Sequence, residues 1–151
     1  AYLMTRILVT LAKLAAEGKE ISDLIAGLPE PADSAEVRLG FTEAGKAAFK
    51  AKGNAAIADI KQRVPALAGM ALAPDNYEGV RIDFDTEHGN GWALIRMSLH
   101  EPIVPVNFES DSAGGGLAIA KELLALLAPY AADIDLTNLK NYIENHKGDR
   151  Q

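Results

Sequence analysis

Apolar residues open the chain at helical spacing: Leu3, Ile7, Leu11 and Leu14 form one stripe, with Met4 and Leu8 beside it. This predicts a helix ending near Gly18, where glycine supplies the left-handed position that helix C-termini favour. A second run, Ile21, Leu24, Ile25 and Leu28, keeps the spacing of a short helix until Pro29 and Pro31 stop it. The stretch Leu28-Pro-Glu-Pro-Ala-Asp-Ser34 reads as a linker, dividing the chain into residues 1–34 and 35–151.

The period then changes from helical to two. Val37, Leu39 and Phe41 alternate with Arg38 and Gly40, as in a half-buried strand. Thr42 is placed to cap a long alanine-rich helix over 43–63, with Pro65 as its limit and Gly53-Asn54 as a possible earlier break. Three strands follow closely: Val80, Ile82 and Phe84 in alternation, then 92–97 after the turn His88-Gly-Asn-Gly91, then 103–109 after the polar loop Ser98 to Pro102. Ser112 and Gly114-Gly-Gly116 lead into a helix with the stripe Ile119, Leu123, Leu126, Leu127 and Tyr130. Asp135 can cap a last helix carrying Leu139, Tyr142 and Ile143, and the tail from Asn145 to Gln151 is expected to fray. Strands grouped together with two helices predict an α+β domain, an antiparallel four-stranded sheet with helices on one face.

Composition narrows the function. The 151 residues contain no cysteine, which excludes disulfides, thiolate metal sites and a cysteine nucleophile, and suits a reducing compartment such as the cytoplasm. With 15 basic and 21 acidic side chains the net charge is −6, unfavourable for binding nucleic acid or an anionic membrane surface. An anionic ligand therefore needs a local positive pocket. No apolar stretch is long enough to cross a bilayer. The wide apolar face of the first helix and its uncapped start suggest that a longer polypeptide was cut there, and predict self-association or disorder before residue 35.

The stretch Trp92-Ala-Leu-Ile-Arg-Met-Ser-Leu-His-Glu-Pro102 carries the candidate chemistry. Arg96 offers a planar fork of donors that matches two phosphate oxygens, Ser98 adds a hydroxyl, and the turn can point backbone N–H groups inward. His100 can add a donor and, when protonated, a second charge. Equally, an arginine ending a strand is common, and Glu101 could simply neutralise it at the surface. Gly114-Gly-Gly116 could seat an anion at a helix N-terminus, although a strand-to-helix entry explains the glycines too. Asp83, Asp85, Glu87 and His88 could suggest a metal, but Asp83 and Asp85 alternate with core positions, as on a solvated strand face; neither His88 nor His146 has a suitably spaced partner. Trp92 reads as strand packing.

The same segment resembles the C-terminal phosphate-binding loop of the α-D-phosphohexomutases, the phosphomannomutases and phosphoglucomutases. That loop reads Arg-x-Ser-(Gly or Asn)-Thr-Glu-Pro, and the match is Arg96, Ser98, Glu101 and Pro102, flanked by Trp92 and Glu109. Glu78-Gly79-Val80-Arg81-Ile82 resembles the strand before it and residues 117–127 the helix after it. Gly18-Lys19 and the Leu28-Pro29 to Glu36 stretch resemble the end of the family's third domain and its hinge. The resemblance implies a TATA-box-binding-protein-like C-terminal domain that grips the non-transferring phosphate of a hexose phosphate through Arg96, Ser98, Leu99 (by its backbone) and His100. In the full enzymes a phosphoserine, a Mg²⁺ site and a sugar-reading loop lie in upstream domains, with which this domain closes the active site; alone it would be inactive. The ending Asn107-Phe108-Glu109-Ser110 leans toward the phosphomannomutase branch. Three departures stand out: Leu99 replaces Gly or Asn, His100 replaces Thr, and Pro105 replaces a frequent Arg. A stand-alone anion-binding or protein-interaction module of the same fold is the alternative.

Overall fold

The computed structural model describes residues 2–147, so most of the tail expected to fray, residues 148–151, lies outside the described residues. Asn145, read as the start of that tail, instead closes the last helix. The chain divides into two compact units, Ala1–Glu30 and Pro31–Gln151.

In the first unit, helix α1 (Tyr2–Ala16) ends as the glycine predicts. Gly18 adopts φ 70°, and the Lys19 N–H turns back onto the Leu14 carbonyl at 2.9 Å. The second apolar run forms only a single 3₁₀ turn, Ile21–Leu24, rather than a helix reaching Leu28. The Glu20 N–H donates to the Asp23 carboxylate at 2.7 Å, which fixes that turn, while Gly27 and Pro29 oppose its extension. None of the residues of α1 or of the turn is buried.

The second unit is α+β. Its antiparallel sheet has five strands, β1 (Asp33–Gly40), β2 (Met70–Leu72), β3 (Val80–Phe84), β4 (Gly91–Ile95) and β5 (Ile103–Ser110), in the order β1-β5-β4-β3-β2. The sequence reading had four, because Met70-Ala-Leu72 is too short to show alternation; pairing of Met70 with Phe84 and Leu72 with Ile82 creates the fifth. Strand β1 starts at Asp33, inside the stretch read as linker, because pairing of Asp33 with Ser110 extends the ladder upstream of the apolar alternation.

The helix expected over 43–63 is two helices, α2 (Glu43–Lys46) and α3 (Phe49–Arg63). The break falls at Ala48, with φ −139° and ψ 36°, rather than at Gly53. Gly45 lies against the Asp133 carbonyl, where a Cβ would come within 2.1 Å, and Lys52 clamps the Ala44 carbonyl and the Asp133 carboxylate at 2.7 and 2.6 Å. The close backbone packing and the lysine clamp hold the short α2 at its own angle. Gly53 lies inside α3, and its lack of a side chain makes room for the Met97 sulfur. Helices α4 (Gly115–Leu127) and α5 (Thr137–Asn145) follow, and the Thr137 N–H donates to the Asp135 carboxylate at 2.9 Å.

One face of the sheet supplies Val37, Leu39, Ile82, Ala93, Ile95, Val104, Val106 and Phe108 to a single core with Ile60 of α3, Ile119, Leu123 and Leu127 of α4, and Leu139 of α5. The opposite face carries Glu36, Arg38, Arg81, Trp92, Leu94, Asn107 and Glu109. The expected alternation thus sorts the core face of the strands from the solvated one.

Candidate functional site

Strand β4 stops at Ile95, and Pro105 gives a reason. The Arg96 N–H donates to the Pro105 carbonyl at 3.2 Å, but proline has no N–H to return to Arg96. The chain is thus loosened from the regular ladder at Arg96. It is caught again where the Ser98 N–H reaches the Ile103 carbonyl at 3.1 Å, leaving residues 99–102 as the connecting loop. The Ser98 hydroxyl accepts from the Glu101 N–H at 3.2 Å, bracing the loop while its own proton remains available to a ligand. Leu99 is 78% exposed and His100 is exposed. A left-handed residue is not required at position 99, since Asn90 is the one non-glycine with positive φ among the described residues. Leucine in place of Gly or Asn therefore brings no backbone strain.

A pocket of about 410 Å³ lies between this loop and α3, lined by Asn54, Ile57, Ala58 and Lys61 of α3, by Glu78 and Gly79, and by Arg96, Met97 and Leu99. Gly79, with φ 70°, lets the backbones meet: a Cβ there would come within 2.8 Å of the Arg96 Cα. The structure thus brings Arg96 and Leu99 to one concavity; Ser98 and His100 are on the same loop but not among the lining residues. The Arg96 guanidinium forms no ion pair among the described residues. Glu101, the acid expected to neutralise it, lies instead 4.0 Å from Arg38. Arg38 itself donates to Glu36 at 2.8 Å, and this bond, with one from Asn107, holds the Glu36 carboxyl below its usual range.

The other candidates are accounted for by structural roles. The glycine-rich entry to α4 already holds an anion of the chain itself: the Gly116 N–H donates to the Asp33 carboxylate at 3.0 Å. Gly114 takes φ 75° and Gly115 packs on the Ser110 hydroxyl, which explains the glycines. Asp85 organises the β3–β4 turn, accepting from the N–H groups of Glu87 and His88 at 3.0 Å each and meeting the His88 ring nitrogen at 2.7 Å. Asp83 lies 3.8 Å from Arg81. Trp92 is half-buried on the sheet face away from the helices, its indole N–H on Glu109 at 3.2 Å and the Arg81 guanidinium 4.6 Å above its ring. His146 stacks on Tyr142 at 4.1 Å.

Lys61 and Asn54 escaped the sequence reading. Both lie on an alanine-rich helix with no motif, and only the packing of α3 beside Gly79 shows that they face the Arg96 loop.

Neither protein-family models nor curated proteins match the chain. Among solved structures it is similar to a phosphoglucomutase/phosphomannomutase family protein of Burkholderia thailandensis, at 23% identity and a TM-score of 0.49. That alignment covers 86% of this chain and 23% of the other, so the chain spans under a quarter of that protein's length. A likeness at this level assigns no activity.

Proposed function

We propose that the second unit binds the phosphate group of a hexose phosphate, as the C-terminal phosphate-binding domain of a phosphohexomutase. The observation that carries the reading is Arg96, whose fork of donors at the end of β4 has no carboxylate within 4.0 Å among the described residues, beside a pocket and two residues before a hydroxyl on a braced loop. A guanidinium in such a position binds a phosphate oxygen pair directly, and the half-buried setting weakens competition from water. Gripping a phosphate remote from the reacting centre would hold a sugar in register for transfer, so binding energy is converted to positioning. The reading gives this chain binding and closure of a site shared with upstream domains, and places phosphoryl transfer and its Mg²⁺ outside it. Within the family, the Asn107-Phe108-Glu109-Ser110 ending favours a phosphomannomutase.

Amide resonances of residues 96–102 should shift on titration with inorganic phosphate or a hexose 6-phosphate, weakly because one domain supplies only part of the contacts. Arg96→Ala should abolish the response. Shifts centred on residues 114–116 instead would refute the loop assignment.

A further inference from the structure

We propose that Lys61 is a second anion-binding residue of this pocket, acting with Arg96 on a dianionic phosphate monoester. The inference rests on the phosphate reading of the Arg96 loop and adds a residue from a different element. Lys61 and Arg96 line the same 410 Å³ concavity, and neither forms an ion pair among the described residues. Arg38, Lys46, Lys52, Arg63, Arg81 and Lys147 of the same unit each lie within 4.0 Å of a carboxylate, whereas Lys50, Lys121 and Lys140, like Lys61 and Arg96, do not among the described residues. In a chain of net charge −6, two cations lining one pocket, neither within 4.0 Å of a carboxylate among the described residues, give an anion the local positive charge it needs.

Lys61 is also held in place. Its ammonium donates one hydrogen bond, to the Asn76 carbonyl at 3.1 Å. Asn76 in turn is fixed to β3, donating to the Arg81 carbonyl at 2.7 Å and accepting from the Arg81 N–H at 2.8 Å. The half-buried ammonium is thus oriented by a rigid loop and keeps two N–H donors for a ligand. Ile57, Met97 and Leu99 supply apolar walls, which strengthen charge interactions within the pocket. Glu78 is the one acid among the lining residues; it is exposed and pairs with neither cation. One guanidinium suffices for a singly charged oxyanion. Two cations from separate walls match the double charge of a phosphate monoester.

Calorimetric titration of the full chain with methyl phosphate and dimethyl phosphate at about pH 8, where the monoester is a dianion, tests this directly. Lys61→Met should weaken methyl phosphate binding about tenfold and leave dimethyl phosphate unchanged, with the far-UV circular dichroism intact. Lys61→Arg should restore methyl phosphate affinity to within about twofold. If Arg96→Ala abolishes binding while Lys61→Met binds like the parent, the Lys61 assignment is wrong and the loop reading stands. Equal loss of both esters in Lys61→Met would also overturn it, as damage to the pocket rather than loss of a charge contact. If the parent binds neither ester, or Arg96→Ala binds both normally, the loop reading falls and takes this inference with it.

Discussion

The two connections of β4 are built on opposite terms. The β3–β4 turn satisfies itself: Asp85 gathers two backbone N–H groups and the His88 ring, and Asn90 reaches the Ser112 hydroxyl at 2.9 Å. Beneath it the buried Ser110 hydroxyl lies 2.5 Å from the Gly89 carbonyl and accepts from the Ser112 N–H at 3.0 Å. The β4–β5 loop leaves its polar chemistry outward, with Arg96 in no ion pair among the described residues, the Ser98 proton available and His100 exposed. Both contain a histidine, an acid and a serine or glycine in a short span, so composition alone ranks them alike. What separates them is whether each polar group has a partner inside the fold. A saturated turn is architecture; an unsaturated one can serve a ligand.

The strongest test of that contrast is a paired substitution. Ser110→Ala should cost about 2 kcal/mol in denaturant unfolding, because it strips the partners from buried backbone groups. Arg96→Ala should change stability by less than about 0.5 kcal/mol while removing phosphate binding, since the guanidinium makes no hydrogen bond or ion pair among the described residues. Comparable destabilisation by both would erase the distinction.

A smaller effect concerns pH. Its bond to Asp85 raises the His88 pKa above the ordinary 6.5, against some desolvation, and the same bond lowers that of Asp85 below 3.8. The histidine contribution is therefore complete below pH 6.5 and is lost as pH rises through the raised value. The carboxylate contribution is present above pH 3.8 and fades as pH falls through the lowered value. Melting temperatures should show extra stability between those limits, and Asp85→Asn should flatten the profile. An unchanged profile would mean that the turn does not depend on this pair. Smallest of all should be the effect of deleting residues 1–30 on the unfolding of the second unit, whose core includes none of them; a large drop in its melting temperature would contradict that.

Much of this architecture was legible because β1, β3 and β5 show two-residue alternation and α4 an unbroken apolar stripe. The alternation of Val80, Ile82 and Phe84 in the sequence alone settles which face meets the helices. Three features were not legible. Met70-Ala-Leu72 becomes a strand only by pairing with β3. The kink between α2 and α3 comes from Asp133, far along the chain, pressing on Gly45. The role of the α4 glycines depends on Asp33 arriving from β1. Of the residues lining the candidate pocket, Arg96 stands out by its motif, whereas Lys61 does not, because a lone lysine on a helix has no pattern until the opposite wall is in view. Pro105 is legible in the sequence as the loss of both a charge and a strand N–H donor; the structure shows that the missing donor falls opposite Arg96.

The sheet margins carry a last consequence. One border is β2, three residues long, and the other is β1, whose exposed positions include Ser34, Glu36 and Arg38. A brief border offers little template for a foreign strand, and charges of both signs along the longer one disfavour stacking of like copies. The domain should therefore stay dispersed at concentrations where sheets with long apolar margins polymerise into fibrils.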